Sequence, residues 1–463
     1  METNTENVFQ TVEKAQSAVL LWQGLGYSGR AKILKSWSKE LIKNIDSLAE
    51  IIAEETGKPL SDAALEVNVA INQLKWVIAN SQKVLRTQSR PSGLLFANIK
   101  SKVERIPFGV VGVIGPWNYP MHTPMGSISY ALGAGNVVVF KPSEYTPKIG
   151  AALAELFSLV APSPYIFQTL GGDPQNGIDL TNSRVDKIAF TGSTKTAKKV
   201  AEACAKNLIP GVFECGGKDS ALIATDADLD LAADEVLWSA MANAGQSCIG
   251  IERVYVVDNI ADKFIDEISQ RARKLQAGKD YGRATMPPQI NVIRSHIEDA
   301  ANKGGRFVVG GLDSIKETIV EPIIMVDVPE NSLEVSDETF GPTLVINRVP
   351  NIETAIVLAN NSKYGLGNAV YSKRQGEKIA RKLESGMVSI NSVFIFAGIA
   401  SIPFGGIKDS GYGRIHGPEG LLEFTYAKSY VKPIFKLPLA LLSFKRTKFT
   451  DNLVKRLTKL LNL

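Results

Sequence analysis

Gly109-Val110-Val111-Gly112-Val113-Ile114-Gly115-Pro116-Trp117-Asn118-Tyr119-Pro120 decides how this 463-residue chain folds. Its first half is a short valine- and isoleucine-rich run, the texture of a strand buried on both faces, and Gly115-Pro116 ends it sharply. Working outward, similar runs recur at 103–106, 137–140, 187–191 and 220–223. Helical stretches at 148–159 and 194–206 stand between some of them. Strands alternating with helices predict an α/β fold, a parallel sheet with helices on its faces. Ligands of such sheets bind just beyond the strand ends.

Several strand ends carry residues that packing does not require. Asn118 lies between Pro116 and Pro120, and its side-chain amide offers donors to a developing oxyanion. Lys141-Pro142-Ser143-Glu144 follows the run 137–140, and a Lys and a Glu three residues apart can grip the two hydroxyls of a ribose. Phe190-Thr191-Gly192-Ser193-Thr194 opens a helix, where free backbone N–H groups attract a pyrophosphate. The G-x-G-x-x-G fingerprint is absent. In Phe213-Glu214-Cys215-Gly216-Gly217-Lys218, apolar and glycine neighbours disfavour a charged Glu214 and move it towards a useful general base.

Asn243-Ala244-Gly245-Gln246-Ser247-Cys248 supplies the nucleophile candidate. A cysteine attacks as the thiolate, so it needs neighbours that take its proton or steady the anion. Standing alone, Cys248 reads as a small buried hydrophobe. Asn118 and Glu214 in the same chain change that reading.

Upstream, residues 8–84 read as amphipathic helices with a stop at Gly57-Lys58-Pro59, a structural layer without visible chemistry. Composition bounds the rest. A 44% hydrophobic and 21% charged chain of this length suits two or three packed domains. Cys204, Cys215 and Cys248 have no paired spacing, which argues for a reducing compartment. No secretory signal and no membrane-spanning run is recognisable. His122, His296 and His416 are widely separated, so no metal is expected. The region from Lys432 onward holds eight basic side chains against Asp451, a net +7 beside the whole chain's +5. The body is therefore slightly acidic, and nucleic-acid binding is set aside.

Taken together these motifs resemble the aldehyde dehydrogenase superfamily, from about Ile33 to Tyr430. Glu338-Thr339-Phe340-Gly341-Pro342 and Pro403-Phe404-Gly405-Gly406 extend the match, as does the 34-residue step from Glu214 to Cys248. The resemblance implies a Rossmann-like cofactor domain, an α/β catalytic domain and a small β bridging flap. It implies aldehyde oxidation to an acid, with Cys248 as nucleophile, Asn118 as oxyanion donor and Glu214 as the base that activates water. Trp117, Lys141, Glu144, Gly192, Ser193, Glu338 and Phe340 would bind NAD. Glu144 disfavours the extra phosphate of NADP, which stays an alternative. Cys215 stands where most members have Leu, and an oxidisable Cys215–Cys248 pair is one reading of it.

The resemblance places the cofactor domain at 1–215, interrupted near 85–105 by a bridging strand, the catalytic domain at 216–397, the bridging segment at 398–432, and a tail at 433–463. Bridging strands are expected at 103–105 and 421–431, and the short amino end suggests a homodimer. Tyr119, Met121, Phe394 and Phe396 would line an apolar tunnel. In the tail, the apolar run 437–444 precedes Phe449, Leu453, Val454, Leu457 and Leu460, which recur at helical spacing among Lys and Arg. This reads as a helix lying on a membrane surface, or as a lid. The shorter fatty-aldehyde enzymes look similar, so the expectation is a cytoplasmic dimer, peripheral on a membrane, acting on long-chain or lipophilic aldehydes. A coenzyme A-acylating enzyme and a silent membrane-associated protein of the same fold are the alternatives. Retention of Glu214 argues against the first, and of Cys248, Asn118 and Glu214 against the second.

Overall fold

The computed structural model describes residues 7–436 and 442–461. They form two compact units, Met1–Val84 with Pro107–Thr425, and Leu85–Ile106 with Tyr426–Leu463.

The larger unit begins with helices Val8–Gly24, Gly26–Lys43, Ile45–Thr56 and Leu60–Leu85. Their apolar positions fall on one face: Val8, Val12, Ala15, Ala18 and Trp22 are buried. Trp37 meets Phe157 and Phe167 edge-on at 5.2 and 5.7 Å between ring centroids. Each such ring contributes about 1.5–3 kcal/mol by leaving water. Gly57 ends the third helix at φ +81°, and a Cβ there would press to 2.7 Å from the Arg283 side chain. The stop seen in the sequence is thus steric as well as conformational.

The first sheet runs in the order Gly411–Tyr412, Gly211–Glu214, Lys187–Thr191, Val110–Ile114, Val137–Lys141, Phe167–Thr169. All neighbours are parallel except Gly411–Tyr412. After Val110–Ile114 the chain adds two strands on one side and then two on the other. A crevice opens at such a switch point, here beyond Ile114 and Thr191. The second sheet runs Arg306–Val309, Ile323–Val326, Thr343–Val349, Ile251–Val257, Asp219–Ile223, Asn368–Tyr371, Ser389–Ile390. Only Arg306–Val309 is antiparallel.

Residues 215–218 join the two sheets, leaving one strand at its carboxyl end and entering the next at its amino end. Carboxyl ends of the first sheet therefore meet amino ends of the second. Cys248 precedes Ile251–Val257 and Glu338 to Phe340 precede Thr343–Val349, so both loops reach this junction.

In the smaller unit, Gln88–Arg90, Ile99–Pro107 and Thr425–Pro433 make a three-stranded sheet. The expected strand at 421–431 begins later, because Gly417–Glu423 is a helix with proline in its first turn, where the fixed φ favours helix. The helix Lys448–Leu461 leaves Phe449 71% and Leu460 74% exposed. Of the apolar run 437–444, residues 437–441 lie outside the described residues. Among the described residues no helix is long and apolar enough to cross a membrane.

Candidate active site

Cys248 sits after a tight backbone turn. Asn243, Ala244 and Gly245 all take left-handed φ values of +53°, +56° and +69°. Gly245 is required there, since a Cβ would collide with the backbone of Gly341. The turn is cross-linked through its own side chains: Gln246 Nε2 donates to Asn243 O at 2.8 Å and Asn243 Nδ2 to Gln246 O at 3.2 Å. Two non-glycine residues in this region cost about 1–3 kcal/mol each, a strain that surrounding bonds must hold.

The structure brings Asn118 against this turn. Asn118 is 5% exposed, and its Nδ2 donates to Gln246 O at 3.0 Å. Its carbonyl accepts from Asn243 Nδ2 at 3.0 Å. An amide nitrogen carries two hydrogens, so one bond to Gln246 leaves the second N–H for a ligand. Tyr119, next in the chain, pairs its hydroxyl with Ser247.

Glu214 ends its strand beside Gly411 and Thr191. It is 4% exposed, and neither carboxyl oxygen has a hydrogen-bond partner. Burial raises it well above the ordinary carboxylate range; Arg414 opposes the shift and Glu423 adds to it. Cys248 is also raised, first by burial and then by Glu338, Asp219 and Glu214. The resting group is thus a thiol within the field of three carboxyls. Cys215 Sγ borders Gly411, and burial, followed by Glu214 and Glu338, pushes it up to about 12.

Around the crevice, Ser193 caps the helix Thr194–Lys206 by accepting from Thr196 N at 3.2 Å. Lys141 is 6% exposed, with Glu144 3.9 Å away and that carboxylate 45% exposed. Glu338 accepts from Gly217 N at 2.9 Å, and burial raises it to about 8. Phe340 takes φ +54° and meets Trp117 edge-on at 5.5 Å.

Residues 1–430 match the profile of the Aldehyde dehydrogenase family. The chain belongs to this family. It is 36% identical over 437 residues to the 4,4'-diapolycopene aldehyde oxidase of Methylomonas sp, covering 93% of this chain and 82% of that one. It is 34% identical over 430 residues to the NADP(+) succinate-semialdehyde dehydrogenase GabD of Escherichia coli K12, covering 90% and 88%. The crystal structure of PnpE in complex with nicotinamide adenine dinucleotide superposes with a TM-score of 0.88 at 29% identity, covering 94% and 91%. The protein is an NAD(P)-dependent aldehyde dehydrogenase.

This aldehyde dehydrogenase has a crevice that fits the dinucleotide. Lys141 is an ammonium lowered by burial, with a single carboxylate at the edge of reach. Such a group readily takes further oxygen partners. A Cβ at Gly216 would press on the Glu338 carboxylate, so a side chain there would displace Glu338.

Several residues of the aldehyde dehydrogenase site were invisible in the sequence. Lys58, assigned to a structural layer, donates to Asn118 O at 2.9 Å and to Glu66 at 2.6 Å. Thr285 N donates to Gln246 Oε1 at 2.8 Å, and its hydroxyl to Thr56 O at 2.7 Å. Glu252 pairs with Lys218 and accepts from Thr339 N and Phe340 N at 2.9 and 3.0 Å. The hint for Lys58 was its place beside the Gly57 stop; nothing local marked Glu66 or Glu252. His122 and His416, far apart in the chain, lie with ring centroids 6.1 Å apart, and burial lowers them to about 4 and about 3. Both are neutral, and His416 Nε2 is 2.7 Å from Gln73 Nε2.

Tyr119 and Phe394 are half-buried, whereas Met121 is fully buried and Phe396 is 6% exposed. Phe394 packs edge-on against Trp238 at 5.2 Å, and Phe396 lies tilted against Phe404 at 6.5 Å. Trp238, Ile395, Ile399 and Ile402 are each 37–55% exposed.

Proposed function

We propose that this aldehyde dehydrogenase oxidises long-chain or otherwise lipophilic aldehydes to acids, with Cys248, Asn118 and Glu214 as the catalytic residues. The observation that carries the chemistry is the bond from Asn118 Nδ2 to Gln246 O, which fixes an amide donor beside the nucleophile's turn. Cys248 releases its proton to solvent as its sulfur adds to the aldehyde carbon. The carbonyl oxygen becomes an oxyanion held by the remaining Asn118 N–H and the backbone N–H of Cys248. Those donors are set before the charge appears, which favours the transition state over the bound aldehyde. A bound nicotinamide dinucleotide supplies the acceptor for the hydride that leaves the Cys248-bound carbon. Glu214 then takes a proton from water, whose oxygen attacks the Cys248 thioester, and the acid departs as the thiol is restored. Its unpartnered oxygens and raised proton affinity suit that task.

Lys141 and Glu144 grip the adenosine ribose, Gly192 and Ser193 face the pyrophosphate, and Trp117, Glu338 and Phe340 hold the nicotinamide end. Glu144 favours NAD over NADP, because its carboxylate repels an added phosphate.

The named relatives differ in substrate, one carrying 4,4'-diapolycopene aldehyde in its name and another succinate semialdehyde. Substrate choice is therefore argued from this chain's own side chains. Trp238 packs with Phe394 and Phe396 with Phe404, and Ile395, Ile399 and Ile402, close by in the chain, are also partly exposed. Phe396 and the Asp219 carboxyl both border Gly367, and Asp219 and the Cys248 carbonyl both border Gly217. Apolar area removed from water yields about 25 cal/mol per Å², so each methylene of a long chain adds about 0.8 kcal/mol. The basic helix Lys448–Leu461 and the exposed Phe449 and Leu460 suit the cytoplasmic face of an anionic membrane, and the strand Thr425–Pro433 suits pairing in a homodimer.

The test is the rate of dinucleotide reduction with decanal and with succinate semialdehyde. The reading expects kcat/KM at least about 100-fold higher for decanal, by chain-length burial, and no rate in Cys248→Ser. Preference for succinate semialdehyde sinks the substrate assignment; a residual rate in Cys248→Ser sinks the mechanism.

A further inference from the structure

We propose that Lys58 and Glu66, two buried residues of the helical layer, are positioning residues for the oxyanion donor Asn118, an inference that rests on the role proposed for Asn118 above. Lys58 follows the helix Ile45–Thr56, and Glu66 lies in the second turn of Leu60–Leu85. Their side chains are 1% and 0% exposed, with Nζ 2.6 Å from Oε2.

A buried ion pair is a weak source of stability, because taking two charges out of water offsets most of their attraction. What this pair holds is more informative. Lys58 Nζ donates to Asn118 O at 2.9 Å and stands 4.2 Å from the centre of the Tyr119 ring. Glu66 Oε1 accepts from Met121 N at 2.9 Å and from His122 N at 3.1 Å. One charged pair thus clamps both ends of the turn 118–122, a carbonyl at its start and two amides at its end. Hydrogen bonds to charged groups are short and strong, so the clamp is stiff.

None of these bonds involves a reacting atom. They act on where the Asn118 backbone sits, and so on where its side-chain amide points. A second support comes from the same layer, where Thr56 O accepts from Thr285, whose N–H holds Gln246. Gln246 O is the acceptor that fixes Asn118 Nδ2. The backbone and the amide of Asn118 are therefore both tied to the stretch 56–66. A donor displaced by a few tenths of an ångström no longer meets the oxyanion, so the clamp governs rate rather than affinity.

The experiment uses the full chain with NAD and an aldehyde it turns over. Lys58→Met combined with Glu66→Met removes the clamp while keeping an apolar interior, a replacement that usually leaves folding intact. Expected are a cooperative melt and an unchanged dinucleotide KM with kcat down about 10- to 100-fold, part of the 10²–10³ that one oxyanion donor supplies. In an Asn118→Ala background the same pair changes kcat by less than about twofold, because residues acting through one group are not additive. Glu66→Gln, measured in parallel, keeps an acceptor for the two amides but not the charge. It gives a smaller fall with the same dependence on Asn118, and serves where the double variant melts early. Wild-type kcat in a variant that still melts cooperatively overturns the proposal, and so does an undiminished fall on top of Asn118→Ala. Wild-type kcat in Asn118→Ala alone would instead refute the role given to Asn118.

Discussion

Glu214 turns both carboxyl oxygens into a buried space where neither has a partner. A group that only stabilised the fold would not be left this way, since an unpartnered buried polar group costs about 1–3 kcal/mol. Two consequences can be measured. With its proton affinity raised by burial, Glu214 becomes a base only as pH rises through that raised value, so kcat climbs with pH on the acid side. Glu214→Gln loses this limb, and steady-state turnover falls about 10²- to 10⁴-fold. Stability moves in the opposite sense. Below the ordinary value of 4.5 the folded and unfolded chains both keep the proton. At higher pH the unfolded carboxyl ionises first, so the folded state loses ground. Glu214→Gln should therefore raise Tm more at about pH 7.5 than at about pH 5. An equal shift at both would mean that the carboxyl is not held protonated by the fold.

Elements position these groups, and here the loop before Thr343–Val349 gives a clear case. Glu252, on the central strand Ile251–Val257, accepts the backbone N–H groups of Thr339 and Phe340 while pairing with Lys218. Glu252→Gln leaves Lys218 buried without its counter-charge, which costs about 3–5 kcal/mol. The same change frees Phe340, so the KM for NAD rises at least several-fold; an unchanged KM in the folded variant would detach this loop from cofactor binding. The strands themselves were legible in the sequence. Lys187–Thr191 has the boundaries its valine-like texture suggested, and Val137–Lys141 extends the expected run by one residue. Parallel strands buried on both faces read as continuous apolar runs, so their signal is local. Lys58, Glu66 and Glu252 were not legible for the opposite reason. Charged residues on or beside amphipathic helices, such as Lys58 and Glu66, read as solvated, and Glu252 stands in a largely apolar strand. The groups they hold, Asn118, Met121 and Thr339, lie 60, 55 and 87 positions away. His122 and His416 escaped notice likewise, 294 positions apart yet neighbours in space.

At the scale of the molecule, the carboxyl ends of one sheet face the amino ends of another, and the chemistry proposed here needs loops from both. Asn118 and Glu214 come from the first sheet, Cys248 from the second, and the resemblance of motifs could name them but not place them. The smaller unit carries a separate prediction. Lys455→Glu with Arg456→Glu and Lys459→Glu reverses three charges of the helix Lys448–Leu461. Vesicles containing anionic lipid should float the native chain but not this variant, each lost cation removing about 1 kcal/mol near the surface. Equal flotation would remove the membrane assignment and leave the enzyme untouched. The most direct test of the central claim is peptide mass mapping of Glu214→Gln after incubation with NAD and decanal. The account predicts a decanoyl thioester on the peptide containing Cys248, absent without NAD and absent in the further Cys248→Ser variant. A trapped acyl group on Cys215 or Cys204, or none while the dinucleotide is reduced, would contradict it.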